Sequence, residues 1–225
     1  QVYPERFSDG AYSNLVTFND HTMVRVMLLL RDIVDGYGPF SSDITSKQNL
    51  TDLNESLNLG MDFILRSQII VDGKRTIWCQ QHHPETYQPM SGRPYELVGR
   101  TGWESAGVTA LLLNWPERTA EIDNATWGAV QWYYDNVNIE KSYQYGISGD
   151  LGNGGIIDEE GGMMWFRYYN LSDSQHFMAG RDSVKVYDVA DLTLEMKTTY
   201  EWGGNWGRGI IIETSKIGYS RIDMT

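Results

Sequence analysis

The 27 residues from Trp78 to Glu104 fit neither the 3.6-residue period of a helix nor the alternation of a strand. They read Trp-Cys-Gln-Gln-His-His-Pro-Glu, then Gly-Arg-Pro-Tyr-Glu-Leu, then Gly-Arg-Thr-Gly-Trp-Glu-Ser, and run into a helix. A long irregular stretch inside a folded domain constrains the fold, because its backbone groups must be satisfied by neighbouring elements. Such stretches often carry function. Arg93 is the first functional candidate here. The plainer reading makes Arg93 and Arg100 surface arginines paired to Glu96 and Glu104.

The flanking sequence is helical. Helix 1 is expected from about Asp20 to Gly36, with Asn19 or Asp20 as its N-cap and Gly38-Pro39 as the breaker. It is apolar over much of its surface, as a helix buried between others would be. Helix 2 runs from Ser46 or Asp52 to Gln68, with Leu53, Leu57, Met61, Ile64 and Leu65 on one face. Ile69–Val71, Asp72-Gly73 and Thr76–Trp78 spell a short hairpin. Helix 3 covers Trp103–Trp115, and helix 4 starts at Pro116 or Ala120 and ends at Asn136. Helix 5 covers Asp188–Lys197. Residues 137–162, rich in Gly, Asp and Glu, read as an irregular surface insertion. Its Asp150, Asp158, Glu159 and Glu160 lack the EF-hand pattern and read as a solvated acidic loop rather than a calcium site. Tyr3, Phe7, Tyr12 and Phe18 line a groove or pack on a helix; both readings are open.

The totals exclude some functions. At 225 residues the chain is one large domain or two small ones; it is read here as a single domain over 1–225. A net charge of −12 argues against nucleic-acid binding but leaves room for an acidic ligand at a locally basic cleft. The longest apolar run, Val26–Leu30, is too short to span a bilayer, and no signal peptide is visible. The chain is therefore expected to be cytosolic, mature or trimmed, with no membrane partner. A single cysteine, Cys79, rules out an internal disulfide and reads as a small buried residue. Sequons at Asn49, Asn54, Asn124 and Asn170 would be glycosylation sites in a eukaryotic secreted protein.

No phosphate loop, Rossmann signature, HExxH or Ser-His-Asp order is present. The histidines are His21, His82, His83 and His176. Adjacent His82 and His83 suit a structural role or a substrate hydrogen bond better than one metal. A glycoside hydrolase needs two facing carboxylates, for which Asp20 with Glu96 or Glu104 are the candidates. An arginine-centred site also suits β-elimination from a uronide, where charge developing beside the carboxylate needs a cation.

One ordered set of segments resembles the family 10 pectate lyases. It comprises Phe18-Asn19-Asp20-His21-Thr22-Met23-Val24, Leu29-Leu30-Arg31-Asp32, Ile64-Leu65-Arg66-Ser67-Gln68 and Trp78-Cys79-Gln80-Gln81-His82. Gly92-Arg93-Pro94-Tyr95-Glu96-Leu97, Glu104-Ser105-Ala106-Gly107, Gly180-Arg181-Asp182-Ser183-Val184 and Tyr200 to Trp206 continue it. The resemblance implies a mainly α protein, an incomplete α/α toroid of helix pairs with long irregular loops and short hairpins. It also implies a secreted polysaccharide lyase that cleaves polygalacturonate by calcium-assisted β-elimination. Carried over residue by residue, Arg93 is the base and Arg181 binds the substrate carboxylate. Asp20 is an acidic cleft residue near the calcium ion or the base, and Lys197 is a second basic residue. His82, Tyr95 and Trp78 are expected on the substrate side.

The chain departs from the family in an insertion at 137–162 that is longer than expected, and at three further places. His83 replaces an aspartate, Met196-Lys197 replaces an arginine pair, and the family's upstream segment ending in Gly-Gly-Trp-Pro is not in this sequence. A toroid without that segment would expose helix 1, so self-association or a second chain completing it is expected. The alternative is a non-catalytic relative, a glycan-binding or extracellular assembly protein.

Overall fold

The computed structural model describes residues 12–41, 47–144 and 155–218. Tyr3, Phe7 and Asp150 lie outside them. In chain order the main elements are β1 (Val16–Thr17), α1 (Thr22–Val34), α2 (Lys47–Ser67), β2 (Ile70–Val71), β3 (Lys74–Arg75), β4 (Gln81–His82), β5 (Pro89–Met90) and β6 (Arg100–Thr101). There follow α3 (Gly102–Leu113), α4 (Ala120–Asp135), β7 (Asn138–Gln144), β8 (Gly155–Phe166), β9 (Tyr168–Tyr169), β10 (His176–Ala179), β11 (Lys185–Val186), α5 (Leu194–Thr199), β12 (Gly203–Gly204) and α6 (Arg208–Lys216). Helices account for more of the described residues than strands, so the fold is mainly α.

Helices α1 and α2 pack on one another, and Gly60 permits the close crossing: a Cβ there would lie 2.4 Å from Met27 Sδ. Leu57, Met61, Ile64 and Leu65 form the buried face of α2, as their spacing predicts. Helix α3 is the central helix, with Val108, Leu111 and Leu112 buried alongside its polar Glu104, Ser105 and Thr109. Helix α4 starts at Thr119, whose hydroxyl accepts from the Ile122 amide at 3.2 Å. The Tyr133 hydroxyl of α4 donates to the Gly102 carbonyl at 2.7 Å and fixes α4 to the start of α3. The Asp72-Gly73 turn forms as expected, with φ of 50° and 76° at its two residues, but the second strand of the hairpin is Lys74–Arg75 rather than Thr76–Trp78.

Four expectations are corrected. The cap of α1 is His21, which makes no side-chain cap bond; Asn19 and Asp20 belong to a 3₁₀ turn in which Asp20 and His21 take left-handed φ of 51° and 58°. Helix α1 is not buried all round: Val24 and Met27 face the core, while Val26 and Leu29 are about half exposed. The described residues of the 137–162 stretch are largely strand, Asn138–Gln144 and the first part of Gly155–Phe166, rather than irregular; residues 145–154 lie outside the described residues. Strands β7 and β8 form an antiparallel hairpin with Lys141 opposite Asp158, which also form an ion pair. A bulge between Ile139 and Lys141, with Glu140 at φ 57°, bends the pair. The fifth helical segment splits into a 3₁₀ turn, Val189–Asp191, and the short α5.

The irregular segment is held by small sheets. Strand β4 lies between β1 and β5, while β6 joins β9, β10 and β11 in a four-stranded sheet. The start of α3 is pressed against β8, since a Cβ on Gly102 would lie 2.5 Å from the Phe166 carbonyl oxygen. Gly102→Ala is therefore expected to lose about 1–3 kcal/mol in urea unfolding. Gly209→Ala, in α6 with no neighbour within 4 Å of the new methyl, should gain about 0.5–1 kcal/mol from helix propensity.

Candidate functional site

The centre of the molecule holds a buried charge. Glu104, in the first turn of α3, has no exposed surface. Its Oε1 accepts from Arg167 Nη2 at 2.8 Å and Gln80 Nε2 at 3.0 Å, and its Oε2 accepts from the Thr101 hydroxyl. Arg167 enters from the β8–β9 junction. Its guanidinium lies 4.0 Å from the ring centre of Trp103 and 4.5 Å from that of Tyr200. Two aromatic rings and a carboxylate beside it keep this arginine charged away from water.

From this centre a hydrogen-bonded chain runs outward to Arg93. The Tyr168 hydroxyl donates to Gln80 Oε1 at 2.7 Å and lies 2.8 Å from the Tyr200 hydroxyl. The Tyr200 hydroxyl in turn reaches Glu96 Oε1 at 3.3 Å. That same oxygen takes the ion pair from Arg93, while Glu96 Oε2 accepts the Arg93 amide at 3.0 Å. The Glu96 side chain is 1% exposed and that of Arg93 is 39% exposed, so the carboxylate is internal and the guanidinium reaches the surface. The Glu96 contact raises the proton affinity of Arg93 above that of an ordinary arginine. Burial pushes the Glu96 carboxyl up, but the Arg93 and Tyr200 contacts outweigh it and hold the group below the usual value.

Arg181 joins Arg93 at the surface. The two guanidiniums lie 5.5 and 5.0 Å from the ring centre of Tyr95, which is itself buried and set edge-on to Tyr200. Arg181 is paired with Glu195 of α5 at 2.6 Å, and both side chains are at least half exposed. The structure thus brings together Arg93, Arg181 and Tyr95. Lys197 is spent locally, donating to the Ala190 carbonyl at 2.8 Å. Asp20 is exposed on its left-handed turn and is tied to the network through its neighbour, since Asn19 Oδ1 accepts from Gln80 Nε2 at 2.7 Å.

Other predicted residues fall elsewhere. Trp78 is fully buried, donating from Nε1 to the Ile64 carbonyl at 2.7 Å. His82 is also fully buried: its Nε2 accepts the Cys79 amide at 3.1 Å, so Nδ1 carries the hydrogen directed at the Tyr87 carbonyl, 2.8 Å away. Both are core residues with no surface to offer a substrate. Arg100 does not pair with Glu104. It bonds the carbonyls of Asn170 and Asp173, while Glu104 takes Arg167. Glu96 and Glu104 are both held in ion pairs, which leaves them unsuited to be the two carboxylates of a hydrolase. His83 accepts the amides of Glu85 and Thr86 on Nδ1, a turn-closing task that an aspartate would also perform. Cys79 is buried, and burial pushes its thiol up, as expected of a core residue.

The pectic acid lyase family model matches residues 1–211. The chain belongs to the pectic acid lyase family. Two solved structures of that kind are similar to it. An aspartate-to-alanine mutant of a family 10 polysaccharide lyase from Cellvibrio cellulosa, in complex with trigalacturonic acid, aligns at TM-score 0.87 and 36% identity over 94% of this chain and 66% of that one. A family 10 polysaccharide lyase from Cellvibrio cellulosa aligns at TM-score 0.87 and 35% identity over 95% of this chain and 65% of that one. The chain therefore spans just under two thirds of the length of these solved lyases. No curated protein matches it. Among the described residues no helix is long and apolar enough to cross a membrane.

Sequence reasoning missed Tyr200, Tyr168 and Gln80 as parts of the site. Gln80 and Tyr200 lie inside the quoted motif segments and Tyr168 outside them, and their meeting requires the tertiary fold. His82 gives a direct test of the local geometry. Burial lowers its pKa from 6.5 to about 4. Below about pH 6.5 the unfolded chain binds a proton that the folded one refuses, so stability should fall as the pH drops from about 6.5 towards 4. Urea unfolding of His82→Gln, which lacks this titration, should show a flatter slope across that window.

Proposed function

We propose that this pectic acid lyase family member cleaves polygalacturonate by β-elimination in the extracellular space. The observation that carries the reading is the pair of guanidiniums, Arg93 and Arg181, 5.0 and 5.5 Å from the centre of one tyrosine ring. Two cations at that spacing on a chain of net charge −12 make a local site for uronate carboxylates. An incomplete α/α toroid is the proposed frame, supported by the packing of α1 on α2 and of α3 on α4. The exposed Val26 and Leu29 of α1 supply the surface on which self-association or a second chain would complete it.

The counter-ions divide the work between the arginines. Glu195 is exposed, and a substrate carboxylate can replace it at Arg181. Glu96 is buried and stays with Arg93. Arg93 takes the C5 proton of the bound galacturonate, having first released a proton of its own to water against the hold of Glu96. The C5–H electrons form the C4–C5 double bond, the C4–O bond breaks, and the departing oxygen takes a proton from water. Lys197 and Asp20 flank this region in the reading.

Calcium takes six to eight oxygen ligands. Among the described residues no group of three or more His, Cys, Asp or Glu is arranged to hold a metal, so these side chains alone do not build such a shell. Calcium would supply positive charge beside the substrate carboxylates, and Asp20 is the one residue of this chain proposed to help hold it.

Polygalacturonate with calcium is expected to give the ultraviolet absorbance of a 4,5-unsaturated uronide, and chelation should abolish it. Arg93→Ala should lower kcat by about 10²–10⁴-fold, the usual contribution of a positioned base. Full-rate product from Arg93→Ala overturns the role of Arg93. A folded protein that binds the polymer without releasing unsaturated product is instead a non-catalytic glycan-binding or assembly protein.

A further inference from the structure

Counting hydrogens in the buried network leads to one more assignment. The Gln80 amide nitrogen has two hydrogens and two acceptors, Asn19 Oδ1 at 2.7 Å and Glu104 Oε1 at 3.0 Å. Turning the amide over would set its oxygen against the Glu104 carboxylate, so its orientation is fixed. Gln80 Oε1 therefore faces Tyr168 and takes its only hydroxyl hydrogen at 2.7 Å. The 2.8 Å contact between Tyr168 and Tyr200 must then be filled by the Tyr200 hydrogen. The same hydrogen is the one directed at Glu96 Oε1, 3.3 Å away. One hydrogen faces two acceptors. Burial raises the proton affinity of both phenols, so neither ionises to relieve the shortage.

We propose that Tyr200 is a positioning residue whose single hydroxyl hydrogen alternates between Glu96 Oε1 and Tyr168 Oη, and so sets how tightly Glu96 holds Arg93. The function of this switch rests on the reading of Arg93 as the base. Tyr200 and Arg93 converge on the same carboxylate oxygen. With the hydrogen on Glu96, that oxygen shares its charge between two donors, its hold on Arg93 weakens, and the guanidinium gives up a proton more readily. With the hydrogen on Tyr168, Arg93 has the oxygen to itself. The charged and titratable groups around the pair are Arg93, Tyr95, Arg181, Tyr168 and Tyr200, with Arg167 and Glu104 behind them. None of these needs to change its charge for the switch to turn.

The two tyrosines make opposite predictions. In Tyr200→Phe the ring packing is kept but Glu96 loses a donor, so its carboxyl titrates at higher pH. In Tyr168→Phe the competing acceptor is gone, the Tyr200 hydrogen stays on Glu96, and the carboxyl titrates at lower pH. Carbon-13 NMR of the Glu96 carboxyl in the full chain should show movements of about half a pH unit in these opposite directions. Either variant alone gives a sign if the other fails to fold. With polygalacturonate, Tyr200→Phe should lower kcat about tenfold with KM within about twofold, and move the kcat–pH profile to higher pH. Movement of both titrations in one direction, or of neither, overturns the switch. An unchanged Tyr200→Phe profile in an enzyme that Arg93→Ala inactivates overturns its role in turnover. A fully active Arg93→Ala variant overturns the base assignment instead and leaves the NMR result standing.

Discussion

The ion pair between Glu104 and Arg167 is the contact on which the arrangement of the site depends. Burying either charge alone would cost several kcal/mol, so each is required by the other. The pair joins parts of the chain that are far apart in sequence. Glu104 belongs to α3, and Arg167 lies between β8 and β9. Gln80 comes from the central irregular segment, and the ring of Tyr200, from near the end of the described chain, lies 4.5 Å from the Arg167 guanidinium. The Arg167 amide also donates to the Trp202 carbonyl at 2.8 Å, which fixes the Tyr200 segment at the backbone level.

This centre explains how an irregular segment can be rigid. Residues 78–101 are bonded both within their own stretch, where β4 pairs with β5 and Glu96 holds Arg93, and from outside. The Trp78 amide donates to the Ser105 hydroxyl at 3.0 Å, and the Phe18 amide donates to the Gln80 carbonyl at 2.9 Å. His82 closes the turn from within, at the expense of any role at the surface. The outcome is a loop whose inner side is held by many hydrogen bonds and whose outer edge presents Arg93.

The two surface arginines differ because of where their counter-ions sit. Arg93 is tied to a carboxylate that water does not reach, so its setting is fixed by the interior. Arg181 is tied to Glu195 at an exposed pair, where exchange for another carboxylate costs little. One site thus contains a permanent and an exchangeable cation–carboxylate contact, both against Tyr95.

Much of this protein was legible in its sequence. Periodicity located α1 to α4, and Asp72-Gly73 located the tight hairpin, because these are local properties. The ordered motifs pointed to the family and singled out Arg93 and Arg181, which the fold brings to the same ring. The pairing of Arg93 with Glu96 was also visible, being three residues apart. Tertiary structure alone decided the rest. The β7–β8 pair lacks apolar alternation, with a polar, exposed stretch before the buried Met164–Phe166 end of β8, so only its pairing register defines it. Helix α6 went unrecognised because the glycine-aromatic segment before it drew the reading. Arg100 and Glu104 exchanged their expected partners because distant groups, the carbonyls of Asn170 and Asp173 and the side chain of Arg167, arrived at better geometry. Trp78 and His82 are in the core rather than the cleft for the same reason. Sequence spacing sets which residues travel together, but burial and the satisfaction of buried charge depend on segments that meet only when the chain has folded.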